Sequence, residues 1–151
     1  MNMCKTYTKL YVHLVFSVKR RQKLLPEDHH EELYKYITGI VNNKKQKLMA
    51  INGTEDHIHI LVSISADICI SDLVRHIKAN SSRFINEKKW NKQRFAWQEG
   101  FGAFTYSESM KGIIINYIHK QKEHHKKIEF RDEYLKILEK FGIDTSPNRI
   151  E

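Results

Sequence analysis

Asp56-His57-Ile58-His59-Ile60-Leu61-Val62-Ser63-Ile64 is the stretch on which the fold turns. Strand residues alternate between faces, so His57 and His59 share one face while Ile58, Ile60, Val62 and Ile64 line the other. The apolar face requires a cover of helices, which leaves the imidazoles on the open face. Neutral imidazole is a good ligand for divalent ions, and two of them on one face make half of a metal site. The remainder must come from elsewhere in the chain, and the best source is a helix carrying Tyr117 and Gln121.

Outward from this strand the elements alternate. Residues 8–18 place Leu10, Val12, Leu14 and Phe16 on one face and Tyr11, His13, Val15 and Ser17 on the other, which predicts a half-buried strand. Pro26 and Glu27 open a helix running to about Asn43, with Leu33, Tyr36, Ile37, Ile40 and Val41 at helical spacing. Residues 47–53 read as a strand ending near Gly53, and Ser71-Asp72 start a second helix with Leu73, Val74, Ile77 and Phe84. Short strands are expected around 94–98 and 101–106. Strand, helix, two strands, helix, strand is the order of a ferredoxin-like α+β domain, an antiparallel sheet with both helices on one face. In that order the histidine strand is one of the two central strands, so the imidazoles stand at mid-sheet.

After the last strand, residues from about 108 to 142 are expected to form a helical annex to a single domain spanning 1–151. Its first helix runs from about Ser109 to Lys127, and its second carries Tyr134, Leu135, Ile137, Leu138 and Phe141 before Gly142 stops it. Tyr117 and Gln121 stand at i and i+4 on the first helix and share a stripe with Ile114. Laid over the open sheet face, the stripe lets His57, His59 and the Gln121 amide oxygen hold a divalent ion beside the Tyr117 phenol. Such a set suits phosphodiester cleavage: the ion polarises a non-bridging phosphate oxygen while the tyrosine oxygen attacks phosphorus and becomes linked to DNA.

A formal net charge of +8 and a pI near 9.4 argue for an anionic partner, nucleic acid first. The cations cluster at Lys19-Arg20-Arg21 with Lys23, at Lys44-Lys45 with Lys47, and at Lys88-Lys89 with Lys92 and Arg94. Rings interleave the last cluster at Trp90, Phe95, Trp97, Phe101, Phe104 and Tyr106, some of them core residues and some free to stack on bases. Cys4 and Cys69 have no metal-ligand or disulfide spacing, no apolar run reaches a membrane span, and the N-terminus lacks a signal-peptide core. These features predict a reduced, cytoplasmic protein with no membrane partner.

The chain resembles the single-tyrosine transposases of the HUH endonuclease superfamily, which include the insertion-sequence and REP-associated tyrosine transposases. The likeness is carried by His13-Leu14-Val15-Phe16 and the basic turn after it, Asp56-His57-Ile58-His59-Ile60-Leu61-Val62, Ser71-Asp72-Leu73-Val74, Trp97-Gln98-Glu99-Gly100 and Tyr117-Ile118-x-x-Gln121. The resemblance implies a transposase that cleaves and rejoins single-stranded DNA hairpins through a 5′-phosphotyrosine intermediate. Tyr117 would be the nucleophile, with Mg2+ or Mn2+ on His57, His59 and Gln121. It also implies a homodimer. A long helix so soon after the final strand is expected to reach a partner's sheet rather than its own, making the site composite. Lys19, Arg20, Arg21, Arg83 and Lys120 are the expected DNA contacts. The family hangs the tyrosine helix on a glycine-bearing connection, and here Gly112 falls inside the predicted helix.

Other readings of these residues remain. Asp56 either orients a histidine or ends the turn, and His13 either faces DNA or is buried. Tyr117 and Gln121 also suit an ordinary amphipathic helix. His29-His30 and His124-His125 read as solvated helix residues. A histidine-triad nucleotide hydrolase would need a third alternating histidine where Leu61 stands, and a non-catalytic single-strand-binding module would use aromatics on the same sheet. A domesticated relative that processes repeated palindromes would share all these motifs.

Overall fold

The computed structural model describes residues 5–146. Four antiparallel strands form one sheet in the order β2-β3-β1-β4: β1 Leu10–Ser17, β2 Lys47–Gly53, β3 His57–Ile64 and β4 Gly102–Tyr106. This is the ferredoxin-like order expected from the sequence. The central pair is in register from Leu10 opposite Ile64 to Ser17 opposite His57, which sets Val15 opposite His59. A bulge between Leu48 and Ala50 bends edge strand β2. The turn from β2 into β3 requires Gly53, because a Cβ there would stand 2.2 Å from the His57 carbonyl oxygen.

Helices α1 (His30–Asn43) and α2 (Ile70–Lys88) cover one face. Val12, Leu14, Phe16, Ile58, Ile60 and Val62 meet Leu33, Ile37, Leu73, Val74 and Ile77 there in one buried core. The alternation read from β1 and β3 thus sets which side chains face the helices. Two expected details differ. The turn Glu27–His29 after Pro26 is 3-10, and α1 proper starts at His30. Residues 94–98 form no strand, only a bridge between Val18 and Trp97, because Phe95 and Trp97 plug the core as irregular chain.

The second sheet face departs most from expectation, since it is covered. After a 3-10 turn at Glu108–Met110, the chain forms α3 (Lys111–His119), α4 (Gln121–His124) and α5 (Phe130–Lys140). The helix expected over 109–127 breaks at Lys120, so Tyr117 sits on α3 and Gln121 opens α4, with α5 following both. Ile114 and Ile118 of α3 pack on Tyr11, Ala50 and Leu61. Phe130 and Leu138 of α5 pack on Val15 and Phe104. Burying an isoleucine or leucine contributes about 2 kcal/mol, so these contacts suffice to fold the annex back over the sheet. Gly112 lies inside α3, whereas Gly142, with φ of 68°, ends the α5 segment as expected.

Candidate functional site

His57 and His59 lie at mid-sheet as the strand alternation requires, but both are fully buried instead of standing on an open face. The annex brings the other members. The His57 Nε2 lies 3.3 Å from the Gln121 Oε1, and the Tyr117 hydroxyl donates to the Glu133 Oε2. The rings of His59 and Tyr117 are 5.9 Å apart, edge to face. Tyr117, Gln121, His57 and His59 thus meet within one chain. The tyrosine stripe, expected to reach a partner's sheet, lies here on the sheet of its own chain. The break at Lys120 and the turn before α3 supply the reversal that one continuous helix lacks.

Asp56 orients a histidine, since the His57 Nδ1 donates to its Oδ1 at 2.7 Å and Thr54 donates to the same carboxylate. Those bonds, with the charge of His57, outweigh the upward push of burial and hold the Asp56 carboxyl below its usual range. His13 is buried, with its Nε2 2.8 Å from the His59 Nδ1, so it supports the site from behind and is not available to DNA. Leu61 fills the position where a histidine-triad enzyme needs its third histidine, and it packs in the apolar cluster under α3.

Glu133 and His125 are the members that sequence reading missed. Glu133 is 2% exposed at the start of α5, and its carboxylate lies 2.9 Å from the His59 Nε2, 3.0 Å from the His125 Nε2 and 2.9 Å from the Gln121 Nε2. Burial alone would raise its pKa, yet hydrogen bonds from His125, His59 and Tyr117 hold it far below the ordinary carboxylate range. The helix N-terminus also favours its charge. Only the match of Glu133 to a facing cluster marks it out, and that exists in the fold and not in the sequence around it. His124-His125 is not a solvated pair, because the His125 Nδ1 donates to the Ile128 carbonyl at 2.7 Å while its Nε2 faces Glu133. His30 is likewise buried and donates to the Leu25 carbonyl.

The donor set fits a cation. With its Nδ1 donating to Asp56, His57 turns its Nε2 toward the Gln121 Oε1 at 3.3 Å and the Glu133 Oε1 at 3.7 Å. A cation placed between these atoms would find nitrogen and oxygen donors on several sides. Burial holds the His59 pKa down at about 4, which keeps its imidazole neutral and able to ligate near pH 7. Burial also raises the Tyr117 phenol well above its usual value, and the adjacent Glu133 charge raises it further. The phenol is therefore protonated in this state, and positive charge near Glu133 is what eases its ionisation.

Beside the site lies a cleft of about 580 Å3, lined by the cations Arg20, Arg21, Lys23, Lys122, Lys126 and Arg131, which outnumber its carboxylates Glu27, Glu55, Asp56 and Glu129, together with His125. Arg20 and Arg21 both hold positive φ, 57° and 53°, a strained backbone that projects them from the turn Lys19–Arg21. Lys19 and Lys120 are exposed, the latter between α3 and α4. Arg83 is exposed on α2, across the sheet from the histidines, so it is not part of this cleft. Of the interleaved rings, Phe95, Trp97 and Phe104 are core, while Phe101 is exposed. Cys69 is exposed and unpaired, Cys4 lies outside the described residues, and no helix among the described residues is long and apolar enough to cross a membrane.

Comparison with known proteins bears on the family and the fold. The family described as "Transposase IS200 like" matches residues 6–121, ending at Gln121. The ISDra2 transposase TnpA of Deinococcus radiodurans is 26% identical over 120 residues, covering 75% of this chain and 84% of that protein. The crystal structure of a transposase candidate from Deinococcus radiodurans R1 superposes with a TM-score of 0.61 at 24% identity, covering 80% of this chain and 98% of that one. A REP-associated tyrosine transposase bound to a REP hairpin also gives 0.61, at 17% identity, over 85% of this chain and 76% of that one. At such identities the two structures speak for the fold.

Proposed function

The chain belongs to the IS200-like transposases, a family of enzymes, and from that premise we propose that it cleaves and rejoins single-stranded DNA through a 5′-phosphotyrosine on Tyr117. The observation that carries this reading is the convergence, in one buried place, of the Tyr117 hydroxyl with His57, His59 and Gln121. Attack by the phenol oxygen on phosphorus forms the new O–P bond and breaks the bond to the bridging 3′ oxygen, which takes up a proton and leaves as a hydroxyl. The phenol proton has an acceptor in contact, the Glu133 Oε2. Attack by a 3′ hydroxyl on the phosphotyrosine then rejoins the strand and restores the phenol. Attack by water would discard the strand, and the burial of His57, His59, Gln121 and Glu133 beneath the annex keeps water from that side.

His57, His59 and Gln121 would hold a divalent ion, magnesium or manganese, which would neutralise charge on the non-bridging phosphate oxygens. The substrate is a single-stranded DNA hairpin whose strand reaches Tyr117 past Arg20 and Arg21, in keeping with the basic cleft and the +8 net charge. The working unit is a homodimer, the assembly that the resemblance of the sequence implies. The decisive experiment incubates the protein with a labelled hairpin carrying single-stranded flanks, with manganese and with chelator. A denaturation-resistant protein–DNA adduct formed only with the ion is the expected result. Binding without any adduct would replace this reading with a non-catalytic binding module.

A further inference from the structure

The Glu133 carboxylate divides its two oxygens between two tasks. Its Oε1 faces three imidazoles, with the Nε2 atoms of His59 at 2.9 Å, His125 at 3.0 Å and His57 at 3.7 Å. Its Oε2 accepts from the Gln121 Nε2 at 2.9 Å and from the Tyr117 hydroxyl. One ligand atom from each of His57, His59, His125 and Glu133 falls in a group whose members all lie within 4.8 Å of one another. His125 and Glu133 both lie beyond Gln121, where the family match ends.

We propose that Glu133 and His125 ligate the ion together with His57 and His59, and that this three-imidazole, one-carboxylate set selects a divalent transition ion over magnesium. The proposal rests on the reading above that an ion occupies this place, and it puts His125 and Glu133 in place of Gln121 as ligands. Bonds of about 2.0–2.2 Å place ligand atoms roughly 3–4 Å apart, so the observed group needs only a small contraction around an ion. Each imidazole has a partner at its far nitrogen: Asp56 for His57, His13 for His59 and the Ile128 carbonyl for His125. Such partners fix ring orientation and turn the Nε2 atoms toward a common point. The three Nε2 atoms thus converge on one carboxylate oxygen, as ligands around a common cation would. Magnesium favours six oxygens and retains its waters, whereas nitrogen donors favour ions from manganese through zinc. The Glu133 Oε2 stays free to hold the Tyr117 hydroxyl, and Gln121 steadies the carboxylate while its own oxygen remains within reach of His57.

The test is made on the full chain without DNA, so failure of the DNA chemistry and failure of this ligand set are separable. Metal-stripped protein is titrated with Mn2+, Zn2+ and Mg2+ by calorimetry and thermal shift. The expected result is one tight site for Mn2+ and Zn2+, with much weaker Mg2+ binding, and a loss of about 10-fold or more in Mn2+ and Zn2+ affinity in Glu133→Gln. Because a buried substitution can disturb folding, X-ray absorption of the Zn2+-loaded native protein provides an independent count of its ligands. Three imidazoles are expected there. Magnesium binding as tight as manganese, native affinity in a folded Glu133→Gln, or a shell of only two imidazoles would each overturn the proposal.

Discussion

Tyr117 on α3 and Glu133 on α5 are joined by a hydrogen bond from phenol to carboxylate, so the expected nucleophile is held by a residue from the far end of the annex. That bond ties three short helices to one sheet face and makes the chemistry of the phenol depend on the charge beside it.

Tyr117→Phe removes the attacking oxygen and leaves the ring in place. Covalent adduct should vanish while hairpin affinity stays within a few-fold, measured by denaturing gel and by anisotropy. Loss of the hydroxyl should cost about 1 kcal/mol of stability, since the Glu133 Oε2 keeps Gln121 as a donor. Adduct of normal yield would remove Tyr117 from its role.

His57→Ala and His59→Ala should weaken ion binding and also destabilise the metal-free fold. Both side chains are fully buried and hydrogen-bonded, so each truncation leaves a void and orphaned partners, costing roughly 2–4 kcal/mol. Urea unfolding in chelator measures this. Unchanged midpoints would mean that the annex does not cover the histidines in solution.

Acid should destabilise the metal-free protein from about pH 6.5 downward, earlier than carboxylates alone require. Burial lowers the His13 pKa to about 3 and the His59 pKa to about 4, whereas both take a proton near 6.5 when unfolded. Across that window the unfolded chain binds more protons, so the contribution of these two is complete above pH 6.5 and falls as pH drops, by up to about 1.4 kcal/mol per unit for each proton. Glu133, held low, acts in the same direction below the ordinary carboxylate range. His125, raised by Glu133 against the effect of burial, contributes stability that is complete below about pH 6.5 and is lost as pH rises above it, so its slope lies outside the acid window. Thermal midpoints from pH 7.5 to 4.5 should show the decline, and His13→Asn should flatten it.

Arg20→Gln with Arg21→Gln should reduce the salt dependence of hairpin binding by about 0.7 per lost phosphate contact. Arg83→Gln, on the far side of the sheet, should leave the slope unchanged. Equal effects at both places would mean that the cleft is not the path of the strand.

Heterodimers of Tyr117→Phe with a His57→Ala, His59→Ala chain should stay inactive, because each chain assembles its site from its own residues. Cleavage regained by verified heterodimers would mean that the annex exchanges between chains.

Much of this was legible in sequence because it is local. Alternation in Leu10–Ser17 and His57–Ile64 fixed which side chains meet the helices, and the element order fixed the sheet, since apolar periodicity is a property of neighbouring residues. The pair His57 and His59 and the i, i+4 pair Tyr117 and Gln121 were visible for the same reason. Tertiary structure alone decided that the histidine face is covered, that the annex helix breaks at Lys120, and that Glu133 and His125 arrive beside His59. Those outcomes depend on burying Ile118, Phe130 and Leu138 against residues far away in the chain. No local pattern around Glu133 sets that carboxylate apart from its acidic neighbours on α5, because its meaning lies in the three imidazoles and the phenol that packing places around it.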